Sequence, residues 1–105
     1  MVIVETSVFT RQVTGLLADD EYRDLQEFLS SRPNAGVLIS GGGGLRKLRW
    51  SLSGRGKRGG IRIIYYWAAA QERLLLLFAY PKGQQPDLTP AQIKILRGII
   101  KDEYP

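Results

Sequence analysis

Three stretches decide the fold: Leu45-Arg-Lys-Leu-Arg-Trp-Ser-Leu52, Ile61-Arg-Ile-Ile-Tyr-Tyr-Trp-Ala68 and Arg73-Leu-Leu-Leu-Leu-Phe-Ala-Tyr-Pro-Lys82. The first alternates at its centre. Lys47, Arg49 and Ser51 point one way and Leu48, Trp50 and Leu52 the other, the period of a half-buried strand. The second is rich in β-branched and aromatic residues, and Arg62 is its only charge. The third is an almost continuous apolar run, which predicts a strand covered on both faces. A loop rich in Gly and Arg joins the first two strands, and alanines with Gln71-Glu72 make a short turn between the last two. Together they predict an antiparallel meander.

Upstream, Val2-Ile-Val-Glu5 reads as a short strand. Thr6 or Ser7 can cap a helix over 7–17, whose apolar face is Val8, Phe9, Val13, Leu16 and Leu17. Asp19 reads as the N-cap of a second helix, over 19–31, with Tyr22, Leu25, Phe28 and Leu29 on one face and Pro33-Asn34 as its stop. Residues 34–44 read as a connector holding Val37-Leu38-Ile39 and four glycines, Gly41 to Gly44. No Gly-Lys-Ser/Thr follows those glycines and no helix pattern opens there, so they read as a turn rather than a phosphate loop. Downstream, Thr89-Pro90-Ala91-Gln92 combines an N-cap, a proline at the first helical position and a capping box. Ile93, Leu96, Ile99 and Ile100 give that helix its stripe. The order β-α-α-β-β-β-α predicts one α+β domain over 1–105, with an antiparallel sheet, two N-terminal helices and one C-terminal helix.

The chain has 105 residues, 44% hydrophobic and 24% charged, a globular composition. It contains no cysteine and no histidine. Disulfide scaffolds, thiol nucleophiles, Ser-His pairs and the usual zinc ligands are therefore excluded, and no metal or cofactor is expected. Met1-Val-Ile-Val-Glu5 turns acidic too soon for a signal peptide, and Leu74–Ala79 is too short to span a bilayer. A soluble cytoplasmic protein without membrane contacts is expected. The formal charge is +5, but its distribution says more. No acid stands between Glu27 and Glu72, while eight basic residues do: Arg32, Arg46, Lys47, Arg49, Arg55, Lys57, Arg58 and Arg62. One strongly positive face, suited to an anionic partner, is expected.

Glycines in the loop between the first two strands let backbone approach a ligand, and Arg55, Lys57 and Arg58 can then reach phosphates. Lys47 and Arg49 share a strand face, and Arg62 opens the neighbouring strand. Cleavage of RNA by its own 2′-hydroxyl needs that hydroxyl deprotonated, the phosphorane charge stabilised and the leaving 5′-oxygen protonated. Arginines suit the second task through their paired donors. A lysine among arginines has a lowered pKa and suits the other two, as does a tyrosine. Tyr80 and Lys82, two positions apart, share a face. For Tyr65, Tyr66 and Trp67, base stacking competes with core packing, and core packing is expected.

Gly44-Leu-Arg-Lys-Leu-Arg, Gly56-Lys-Arg-Gly-Gly-Ile-Arg-Ile-Ile-Tyr-Tyr, Tyr80-Pro-Lys-Gly and Asp87-Leu-Thr resemble the RelE/ParE toxin superfamily, with the HigB-type RelE-like branch of bacterial type II toxin–antitoxin modules as the nearest match. The resemblance covers nearly the whole chain, and Gly-Lys-Arg-Gly-Gly-x-Arg is its most specific piece. It implies a RelE-like fold and an mRNA interferase, an endoribonuclease that cuts mRNA on the 70S ribosome, stops translation and arrests growth. It implies neutralisation by a cognate antitoxin of the HigA helix-turn-helix type, with operator DNA reached only through that antitoxin. By position, the resemblance makes Lys47 the candidate base, with Arg49, Arg62 and Lys82 on the phosphate; Tyr80 joins them as a proton carrier from its own chemistry. Arg46, Arg55, Lys57 and Arg58 become RNA-binding residues. Some members use a tyrosine or histidine in a C-terminal tail; here there is no histidine, and Tyr104 stands next to the last residue. Two alternatives are a ParE-like inhibitor of DNA gyrase, a branch that generally lacks the basic set, and an RNA-binding module without catalysis.

Overall fold

The computed structural model of the protein describes residues 1–51 and 60–105. Arg55, Lys57 and Arg58 lie outside the described residues. The elements are β1 (Val2–Glu5), α1 (Ser7–Leu16), α2 (Asp19–Ser31), β2 (Val37–Leu38), β3 (Leu45–Trp50), β4 (Ile61–Ala68), β5 (Arg73–Pro81) and α3 (Pro90–Glu103). A single 3-10 turn, Ala69–Gln71, leads from β4 to β5 through Glu72 in the left-handed region.

The fold is α+β, with a five-stranded sheet in the order β1-β5-β4-β3-β2. The antiparallel meander is present as β3, β4 and β5. The sheet as a whole corrects the expectation in two respects. It is mixed, because β1 runs parallel to β5, with Val2 opposite Arg73 and Glu5 opposite Leu76. It also has an additional strand, because Val37 and Leu38 pair with Lys47 and Arg46. The glycine turn folds the connector back onto β3, and a two-residue strand is too short to carry a period of its own.

Two hydrophobic cores flank the sheet. Phe9, Val13 and Leu17 from the α1 end join Leu25 and Leu29 of α2 against Leu48, Ile61, Ile63, Tyr65, Leu74 and Leu76. On the other face, Leu96 and Ile100 of α3 pack with Leu45, Ile64, Leu75, Leu77 and Tyr80. The apolar run of β5 thus feeds both cores, as a strand covered on both sides must. Each fully buried Leu or Ile stabilises the fold by about 1.5–3 kcal/mol relative to exposure.

The helix starts follow from their sequences. The Thr6 hydroxyl accepts from Phe9 N–H at 3.1 Å. Thr89 and Gln92 form the expected reciprocal box, at 3.1 and 2.9 Å. For α2 the N-cap is Ala18, not Asp19; Glu21 reaches back to accept the Ala18 N–H at 2.9 Å. Beyond Glu5, β5 has no strand neighbour on the β1 side, and side chains satisfy its edge instead. Thr6 donates to the Leu77 carbonyl at 3.1 Å and Gln12 accepts from the Ala79 N–H at 2.8 Å, which blunts an otherwise open edge. Among the described residues no helix is long and apolar enough to cross a membrane.

Candidate functional site

The face of the sheet that carries α3 brings the predicted cations together. Register places Arg49 of β3 directly opposite Arg62 of β4, and Arg62 opposite Tyr80 of β5. The three side chains therefore form a row across adjacent strands spaced about 4.8 Å apart. Lys47 lies two residues along β3 on the same face. Gly60 makes the close approach of β3 and β4 possible at this end. Its φ is +73°, and a Cβ there would meet the Trp50 carbonyl oxygen at 2.1 Å, so no other residue fits without moving the strands.

Among the described residues Arg62 is the one buried charged residue, with 9% of its surface exposed. No hydrogen bond or ion pair of its guanidinium is found among the described residues, and 52–59 contain no acidic side chain. Two like charges directly opposite in a sheet destabilise it by roughly 0.2–1 kcal/mol. The Tyr80 hydroxyl is fully buried next to Arg62 and has no hydrogen-bond partner among the described residues. An orphaned buried hydroxyl costs about 1–3 kcal/mol. Burial, then the Asp87 charge, push the Tyr80 hydroxyl up from its ordinary range, with Arg62 opposing. It is therefore a proton-bearing donor at neutral pH.

Asp87 is the residue that sequence reasoning missed as part of the site. Its carboxylate accepts from Lys47 Nζ at 2.5 Å. The hydrogen bond and charge of Lys47 hold its carboxyl below the usual carboxylate range, with Arg49 and Arg62 adding to the effect. It therefore stands in the field of all three cations. Its place is built: Gln85 donates to the Asp87 carbonyl at 2.7 Å and to Gln92 at 2.8 Å, and the next residue, Leu88, is buried. The available signal was that Asp87 is the first acid after Glu72 and stands two residues before the N-cap of α3.

Lys82 is exposed in the turn after β5, and its backbone N–H donates to the Gly60 carbonyl at 3.2 Å. It thus stands at the Arg62 end of the sheet. Arg46 is not part of the cluster. Alternation turns it to the α1–α2 face, where it donates to the carbonyls of Gly36 at 2.8 Å and Asn34 at 3.3 Å. Tyr65 is core: its hydroxyl donates to the Pro33 carbonyl and accepts from the Gly36 N–H, both at 2.8 Å. Tyr66 and Trp67 are half-buried on opposite faces, Tyr66 beside Tyr104 with ring centroids 5.7 Å apart.

Chemically, the row can grip a phosphodiester. Arg49 and Arg62 offer forked donors to non-bridging oxygens, Lys47 a third cation, and Tyr80 a neutral O–H. An incoming phosphate would compete with Asp87 for Lys47. Compared with the models of known protein families, the chain matches none.

Proposed function

We propose that the protein is a RelE-like toxin of a type II toxin–antitoxin module. In this reading it cleaves mRNA on the ribosome and is neutralised by a protein antitoxin. The observation that carries this reading is the buried Arg62, facing Arg49 on one side and the Tyr80 hydroxyl on the other, neither Arg62 nor that hydroxyl having a partner among the described residues. A protein keeps such an unfavourable arrangement where an anion relieves it. In the reaction, the 2′-oxygen forms a bond to phosphorus and the bond to the 5′-oxygen breaks. Arg49 and Arg62 hold the charge that builds on the phosphorane, and Tyr80 or Lys82 gives the leaving oxygen its proton. Lys47 takes the 2′-hydroxyl proton only once it has left Asp87 and given its own proton to solvent; Asp87, with its lowered pKa, is itself a weak base. With acid–base groups this limited, positioning by the ribosome supplies much of the rate.

The Lys47–Asp87 pair also favours a second reading, RNA binding without cleavage, because it occupies the candidate base. Induced expression in bacteria separates the readings. New 5′ ends within translated messages support the nuclease. Growth arrest with relaxed plasmid DNA and intact messages points to gyrase, and intact messages with normal supercoiling leave RNA binding.

A further inference from the structure

A second basic surface lies on the same face of the sheet, outside the cluster just described. Lys94, Arg97 and Lys101 recur along α3 at the spacing of one helix face. They line a cleft of about 550 Å³ together with Gly43, Tyr66 and Tyr104. All three cations are exposed, and none has an ion-pair partner among the described residues. Arg97 runs across the glycine turn, its Nε 3.4 Å from where a Cβ of Gly43 would lie. That turn keeps positive φ at Gly41, Gly43 and Gly44. At Gly44 a Cβ would meet the Tyr66 ring at 2.7 Å, so the glycine is what lets the ring lie against the turn. Tyr66 and Tyr104 form a tilted, half-exposed pair at the far wall.

We propose that this cleft binds single-stranded RNA, with phosphates on Arg97 and Lys101 and a base stacked on the Tyr66–Tyr104 pair. The choice of RNA rests on the reading of the main site as an RNA site. Cations beside a stackable ring are the elements that hold a single strand without regard to sequence. Geometry supports continuity with the cluster. Tyr66 and Arg62 share one face of β4, four residues or about 13 Å apart. Ile64 between them is buried under α3, so a strand that reaches both sites passes over the outside of this core rather than along the sheet. An acidic protein segment is the competing occupant, and it has no use for the rings.

The test is fluorescence anisotropy with the full chain and a labelled, 2′-O-methylated RNA of about 12 nucleotides, within the range that single-strand sites cover. Such a probe cannot be cut, so binding is read apart from cleavage. Arg97→Ala/Lys101→Ala is expected to weaken binding tenfold or more. It should also reduce the slope of log affinity against log salt by about 1.4, the loss of two phosphate contacts on a single strand. Arg97→Lys/Lys101→Arg should keep that slope, and Tyr104→Ala should weaken binding about tenfold with the slope unchanged. The proposal is overturned if the Ala pair matches wild type in affinity and slope, or if wild type does not bind the probe. It is equally overturned if an oligoglutamate peptide displaces the probe at lower concentration than unlabelled RNA does. Failure here leaves message cleavage in cells to be judged on its own result, and an uncut message leaves this binding result standing.

Discussion

Replacing Arg62 by leucine should make the protein more stable and less active at once. The residue is 9% exposed and faces Arg49 across the ladder. The acid nearest the cluster, Asp87, is engaged by Lys47. Removing the charge relieves the like-charge opposition, worth roughly 0.2–1 kcal/mol. It also lifts the desolvation of a guanidinium without a carboxylate, a change that in buried ionic groups gains about 1–4 kcal/mol when apolar side chains fill the space. Lost packing of the arginine stem offsets part of this. A net gain of about 1 kcal/mol follows, which raises a urea midpoint by about 0.3–1 M at ordinary slopes. Activity moves the other way. One donor aimed at a developing oxyanion is worth about 10²–10³ in rate. Urea unfolding followed by circular dichroism, beside message cleavage by the same preparation, reads both. A variant destabilised by more than about 1 kcal/mol would make Arg62 a structural charge and refute the reasoning.

Tyr65→Phe removes the hydroxyl shared by Pro33 and Gly36 and strands a buried N–H, so a loss of about 2 kcal/mol is expected in the same unfolding assay; a change below about 0.5 kcal/mol would show that the turn re-forms without it. Asp87→Asn frees Lys47 and should tighten binding of an uncleavable RNA at low salt, an advantage that fades as salt rises. Acid should mimic it in the native protein: the carboxyl is held below its ordinary 3.8, so the pair is complete above that pH and is lost as pH falls through the lowered value. Weaker binding by the Asn variant would instead make Asp87 a part of the grip. At the alkaline end, Tyr22, Tyr65 and Tyr80 all have hydroxyls raised above the ordinary 10.0, chiefly by burial. Their contribution is complete below pH 10.0 and is lost as pH rises through the raised values, so tyrosinate absorbance and loss of helix signal should rise together; reversible ionisation of all five tyrosines at pH 10.0 in an intact fold would contradict this.

The local chemistry of the chain was legible where a few neighbouring residues decide the outcome. Thr89, Pro90 and Gln92 set the start of α3 as read, and the alternation in β3 put Lys47 and Arg49 on one face. Arg46 is expected among the RNA-binding residues all the same, although as a neighbour of Leu48 and Trp50 in the alternation it points with them, and the structure turns it to the Gly36 and Asn34 carbonyls. Pairings between distant segments were not legible. The partner of β1 is more than seventy positions away, and its parallel sense depends on how α1 and α2 pack between. The break in register where Ile64 faces Phe78 and Tyr65 faces Leu76 leaves no mark in an apolar run. An acid such as Asp87 just before a helix start has an ordinary explanation in the helix dipole. Only the folded path from β5 to α3 brings it to Lys47.

The measurement that bears most directly on function is primer extension on a defined message in a translation extract, with purified protein added and with ribosomes present or removed. Ribosome-dependent cleavage predicts new ends inside the translated frame that vanish without ribosomes and with Arg62→Ala. Full-length message under continuing translation, or the same ends on naked transcript, would contradict it.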